Sequence, residues 1–286
     1  MKLTRYNKTC MVSLMALLLA MAPITIMSQI LRPRLSLCGG KQYTYQIQLA
    51  NNIKQTIYGS NLNNSTRYMA NVNFAVEKPS LDSLINVTAF FNGMNYAFQL
   101  RGRDTAVSIP GKTGGLKRYS YLPFGRILQR GVMENDPLGS TLDLENNLLP
   151  FRLFCEMPSN GVEVVGQWTS QQVDTIYSVG LGGKLAILSQ TNYSFTSTTI
   201  IQNKAYAMIT YQMQLNINGA NNMDGALINT LGKGTGTGEM LLDTENGVLY
   251  SDQNTISFSV VKATSGNTVM NIPISQQVVY KIQRIN

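Results

Sequence analysis

The sequence contains no histidine. That absence excludes Ser-His-Asp and Cys-His nucleophile systems and every zinc or iron site that needs an imidazole ligand. Cysteine is scarce, with three in 286 residues, so there is no thiolate metal cluster either. Neither a metal nor a cofactor is expected. Charged residues make up 13% of the chain, about half the usual share, so the polar surface must be built from Asn, Gln, Ser and Thr. A single tryptophan argues against the aromatic subsites of a carbohydrate-processing cleft. Beyond residue 31 no apolar run is long enough to cross a bilayer as a helix.

What is present begins with a secretion signal. Lys2, Arg5 and Lys8 form a positive start and residues 11–22 an apolar stretch. Pro23 obstructs cleavage after Ala20-Met21-Ala22, so Ile26-Met27-Ser28 is the expected site and Gln29 the new terminus. An uncleaved anchor over residues 11–31 is the alternative. Thr9 and Leu37, preceding Cys10 and Cys38, are not the small residues of a lipoprotein signal. The expected location is the periplasm, the cell surface or the extracellular space. Losing residues 1–28 lowers the formal charge from +8 by three and leaves Cys38 and Cys155. Two cysteines in an oxidising compartment are compatible with one disulfide, and two buried free thiols are the other option.

The remainder alternates with a period of two. In Tyr43-Thr44-Tyr45-Gln46-Ile47-Gln48-Leu49 the odd positions are apolar or aromatic, and residues 211–218 alternate as strictly. Weaker versions occupy 72–76, 96–100, 256–260 and 278–282. This pattern buries one face of a sheet and wets the other. It predicts an all-β antiparallel meander, a curved sheet or half-barrel, with at most one or two short helices. Phe124, Ile127, Leu128, Gly131 and Val132 have the spacing of one such helix. Asn92-Gly93 and Asn246-Gly247 each sit between β-rich runs and suit type I′ hairpin turns, and Ser265-Gly266-Asn267 is a third turn candidate. Leu142-Asp143-Leu144-Glu145-Asn146-Asn147 is similar to Leu242-Asp243-Thr244-Glu245-Asn246-Gly247. The chain thus divides into two β units, 29–157 and 158–286, or forms one domain over 29–286.

The Gly166-Gln167-Trp168 entry after the Pro158 turn, and the Gly-rich strand 232–239 running to Asp243, resemble a group of secreted Bacteroidetes proteins sharing a domain of unknown function. The resemblance covers residues 40–286. It implies a periplasmic or surface location and a curved sheet distantly like lipoprotein carriers. It carries over no site residues.

Three motifs invite a chemical reading. Gly232-x-Gly234-x-Gly236-x-Gly238 runs into a strand rather than a helix, so it reads as a bare strand face that an aromatic ring can approach, not as a phosphate loop. Gly111-Lys112-Thr113 lacks the first glycine of a P-loop, since Ala106 stands there. Asp143 with Glu145, and Asp243 with Glu245, would share a face on a strand and read as exposed hairpin shoulders, or else as paired carboxylates. The charge feature is residues 101–130. Arg101, Arg103, Lys112, Lys117, Arg118, Arg126 and Arg130 stand against Asp104 alone, with Tyr119, Tyr121 and Phe124 interleaved. Outside the cytoplasm the matching anions are lipid head groups, lipopolysaccharide or acidic glycans, rather than nucleic acid. A solvated connection with scattered cations is the plainer alternative.

These features point to an exported, non-catalytic envelope or surface protein. Its curved sheet would offer an apolar face to a lipid-like or other hydrophobic ligand, or to another envelope protein. A carboxylate enzyme on exported carbohydrate and an outer-membrane β-barrel are the alternatives.

Overall fold

The computed structural model describes residues 30–32, 38–57, 59–78, 84–100, 103–109, 116–130, 153–178, 183–223, 226–265 and 271–285. The secretion-signal stretch, Arg101, Lys112, the 142–147 segment and Gly266-Asn267 lie outside these residues.

The period-two segments are strands. Strand β2 (Gln42–Ile57) buries Tyr43, Tyr45, Ile47 and Leu49 and turns Thr44, Gln46 and Gln48 the other way. Strand β11 (Lys204–Met223) buries Ile209, Tyr211, Met213, Leu215 and Ile217 against exposed Gln212, Gln214, Asn216 and Asn218. Burying a side chain of that size contributes about 1.5–3 kcal/mol. A one-residue slip would turn all five outward, so the register is strongly specified.

The other strands are β1 (Ile30–Leu31), β3 (Ser60–Val76), β4 (Ile85–Leu100), β5 (Arg103–Ile109), β6 (Leu116–Tyr121), β7 (Ile127–Arg130) and β8 (Val162–Glu163). They continue with β9 (Gln167–Ser178), β10 (Gly183–Ile201), β12 (Ala226–Asp243), β13 (Leu249–Ser265) and β14 (Asn271–Arg284). β1 and β8 form a small pair. The remaining twelve make one antiparallel sheet in the order β7-β6-β4-β3-β2-β14-β13-β12-β11-β10-β9, with β5 added alongside β4. The first and last long strands, β2 and β14, pair in its middle, so strands from both sides of residue 157 share one sheet.

One end of the curled sheet is strapped shut from inside. Leu153 and Phe154 are fully buried. Leu249 N donates to Leu153 O at 2.9 Å, and Met157 N to Phe124 O at 2.9 Å beside the β6–β7 turn. On the opposite edge, Trp168 Nε1 donates to Glu156 O at 2.8 Å and Ser170 Oγ to Glu156 Oε2 at 2.6 Å. Residues 153–157 therefore tie β7's side of the sheet to β9. Tyr121 packs edge-on to Phe154 with centroids 5.0 Å apart. Gly125, at φ 90°, is required here, because a Cβ would collide with the Cys155 carbonyl.

Three local expectations are corrected, and one of the two options left open for the cysteines is found. The helical spacing from Phe124 belongs to a turn and the short strand β7, since Gly125 breaks the backbone. Asn92-Gly93 is not a hairpin: β4 runs straight through, and the register shift opposite Ala70/Asn71 makes the dipeptide a β-bulge. Asn246-Gly247 closes a longer loop, in which only Gly247 has positive φ and its N donates to Asp243 O at 2.8 Å. Among the described residues, a two-residue turn with both central residues at positive φ is Gln202-Asn203, joining β10 to β11. Finally, Cys38 and Cys155 are buried free thiols. The Cys38 thiol points to Asn246 O and the Cys155 thiol to Glu156 O, so each sulfur is engaged elsewhere.

Candidate functional site

The inner face is filled at the strapped end by its own rings and by the strap. A cavity there measures only about 30 Å³. A larger concavity, about 620 Å³, lies on the outer face where β14, β2, β3, β4 and β5 run side by side. The register explains it. One cross-strand row reads Val279, Ala50, Arg67, Ala97, Ala106, and the next reads Lys281, Gln48, Met69, Asn95. Three alanines in one row leave a trough between larger neighbours. At the usual strand spacing it crosses about 19 Å of sheet.

Its lining combines an apolar floor with positive charge. Ala50, Ala97, Ala106, Met69 and Val279 supply the floor, while Arg67 and Lys281 are its charged residues. Met69 is 41% exposed and Val279 37%, high values for side chains of this kind. Among the described residues neither cation makes an ion pair. Their Cα atoms are about 12 Å apart by sheet geometry. Asp104 stands across an adjoining depression that shares Arg67, Ala97 and Ala106. Negative ligand charge is therefore best placed toward Lys281. The volume falls within the range of small-molecule sites.

Among the described residues of the basic stretch, Arg103 stands far from Arg118. Arg103 pairs with Leu100 and Arg118 with Thr88, twelve residues apart on β4, which separates them by about 40 Å. Arg103, Arg118 and Arg126 are exposed. Lys117 and Arg130 lie in β6 and β7, with Arg130 opposite Tyr119 in the backbone register. Arg103, Arg118 and Arg126 do not line the trough. Arg67 and Lys281 were not singled out by the sequence, where each sits within an alternating strand with no cation beside it. Only the pairing of β3, β2 and β14 brings them onto one face.

The carboxylate pair is not a shoulder. Asp243 ends β12 wholly buried, and Glu245 lies beyond the strand at 76% side-chain exposure. Lys204 Nζ stands 2.5 Å from Asp243 Oδ2 and 4.0 Å from Glu245 Oε2. Asp243 also accepts from Glu245 N at 3.0 Å, and Arg284 Nη1 lies 4.0 Å away. Arg284 in turn donates to Tyr206 at 3.1 Å and lies over the Tyr250 ring at 5.2 Å. This cluster pins the ends of β11, β12, β13 and β14 together. Beside it, burial pushes the Cys38 thiol above its ordinary value, with Tyr43 and Lys41 partly opposing. Asp143 and Glu145 lie outside the described residues.

The glycine row has a structural use. Gly232, Gly234, Gly236 and Gly238 face inward opposite Val260, Phe258, Ile256 and Asn254. A Cβ on Gly234 would come within 2.6 Å of Phe258 Cβ, and one on Gly238 would enter the Tyr211 ring. The stripe admits rings, as its sequence context implied.

The chain matches no protein-family model and no curated protein. Among solved structures it is similar to Pseudomonas aeruginosa OccK5 (OpdH), at 8% identity and a TM-score of 0.26, over 87% of this chain and 100% of that one.

Proposed function

We propose that this is an exported, non-catalytic envelope or surface protein that binds an anionic amphiphile, an apolar chain with an acidic head group, in the outer trough. The observation that carries the reading is the pairing of an alanine-floored, apolar depression with two cations that lack carboxylate partners among the described residues. Apolar floor gives affinity in proportion to area removed from water, and the cations select the sign of the head group. A carboxylate enzyme finds less support, since Asp243 is committed to Lys204. The barrel reading also finds less, because lipid-facing strands carry an apolar outer band. Here the described outer rows hold residues such as Gln212, Gln214, Thr235, Thr237 and Ser257.

Titration of the protein with a long-chain fatty acid and with the matching neutral alcohol tests this. The acid is expected to bind at least about tenfold tighter than the alcohol, and the preference to vanish in Arg67→Glu/Lys281→Glu. Ala97→Phe, which fills the floor, is expected to abolish binding of both. Equal affinity for acid and alcohol, or unaltered binding by the Ala97 variant, would overturn the assignment.

A further inference from the structure

We propose that one buried water molecule is an integral part of this fold, held on the inner face between β13 and β14 by Tyr280, Asn254 and Asp252. Asn254 and Tyr280 are directly opposite in the β13–β14 register, and both are buried. The Tyr280 hydroxyl and Asn254 Oδ1 have no hydrogen-bond partner among the described residues. Both residues line the same cavity of about 30 Å³, along with Asp252, Tyr211, Cys155 and Met240. That is room enough for a water molecule. A buried hydroxyl or amide oxygen left without a partner is destabilising, so two of them lining one space call for a bridging group.

The donor and acceptor pattern identifies that group. Asp252 already accepts from Tyr211 at 2.8 Å and from Asn254 Nδ2 at 3.3 Å, while Asn254 Oδ1 has no partner among the described residues and Asn254 lines the cavity. Burial first, and the Asp252 charge second, hold the Tyr280 phenol far above its ordinary value, so its hydroxyl remains a donor. The occupant must accept one hydrogen bond, from Tyr280. It must donate two, to Asn254 Oδ1 and to the Asp252 carboxylate. Water does this, with the three bonds usual for a buried molecule. The site exists because Gly238, opposite Asn254, lets the Tyr211 ring lie close to the sheet and reach Asp252.

Two measurements on the full chain decide it. A crystal structure is expected to show an ordered peak within about 3.2 Å of Tyr280 Oη and Asn254 Oδ1. Tyr280→Phe is expected to lower the thermal midpoint by about 2–4 °C, because it strips a bond from a retained water. If the hydroxyl is simply unsatisfied, the same change raises the midpoint or leaves it alone, and that result overturns the proposal. A midpoint that shifts when sodium chloride is replaced by choline chloride, with the shift lost in Tyr280→Phe, would assign the site to a cation instead and also overturn it.

Discussion

Two runs of small residues sit in this sheet, and only one of them leaves a hole. The glycines of β12 run along a strand on the inner face, and side chains from both neighbouring strands lean over them, Tyr211 from β11 and Phe258 from β13. The alanines at 50, 97 and 106 belong to one row running across the strands on the outer face, where no second layer of the described residues packs on them. Small residues thus predict space only where neighbours do not fill it. The same economy of volume makes a tight core on one face and a trough on the other.

The comparison is broken most severely by adding a side chain on the filled row. Gly238→Val would drive two methyls into the Tyr211 ring and toward Asn254 Cβ, 2.8 Å from the new Cβ. The expected loss is about 3 kcal/mol or more, measured by denaturant unfolding. Ala97→Leu in the open row is expected to change stability by less than about 0.5 kcal/mol. Equal costs at the two positions would mean that the rows do not differ in the way the register indicates.

Burial within the sheet's interior also acts on protons. Burial raises Cys38 from an ordinary value of 9.0, and raises Tyr43, Tyr45, Tyr211 and Tyr280 from 10.0. Each group is neutral when protonated, and the folded state holds its proton more tightly than the unfolded chain does. The stability they confer is therefore complete below about pH 9. It declines as the unfolded thiol and then the phenols ionise, each retained proton adding about 1.4 kcal/mol per pH unit to the slope. Tyrosinate absorbance is expected to rise together with loss of the near-ultraviolet dichroism, as one alkaline transition. Gradual ionisation of all the tyrosines near pH 10 in an intact fold would show that the inner face is wetter than its packing indicates.

How much of this was legible beforehand depends on the range of the interaction. Tyr43 to Leu49 and Tyr211 to Asn218 announced strands because side-chain alternation is a local property. The glycine row announced its role for the same reason. The trough was invisible, because Ala50, Ala97 and Ala106 become neighbours only through three separate strand pairings. The spread of the basic stretch was hidden for the converse reason. Closeness in sequence put Arg103 and Arg118 together, while β4 holds them at its two ends. Asp243 looked like an exposed shoulder because nothing local reveals Lys204 and Arg284.

Turn chemistry supplies the smallest and sharpest test. Asn-Gly favours a type I′ turn because both residues tolerate positive φ, yet the dipeptide also suits a bulge or the last position of a longer loop. The chain uses it in those two ways at 92–93 and 246–247. Its I′ geometry falls instead on Gln202-Asn203, at φ 50° and 61°. Asn203 is a common occupant of that conformation, whereas Gln202 is not. Ile201 and Lys204 are register partners, so the turn is two residues long and its backbone is fixed by β10 and β11 on either side. Both side chains are exposed, so replacing them disturbs no packing. Gln202→Asn/Asn203→Gly is therefore expected to stabilise the protein by about 0.5–1 kcal/mol, through relief of strain at position 202. Placing the same Asn-Gly pair one residue earlier, at 201–202, should destabilise it, since the turn would have to shift the register of two strands that together bury Tyr193, Phe195, Ile209 and Tyr211. A thermal midpoint that falls in the first variant, or rises in the second, would show that Gln202-Asn203 does not set the β10–β11 register.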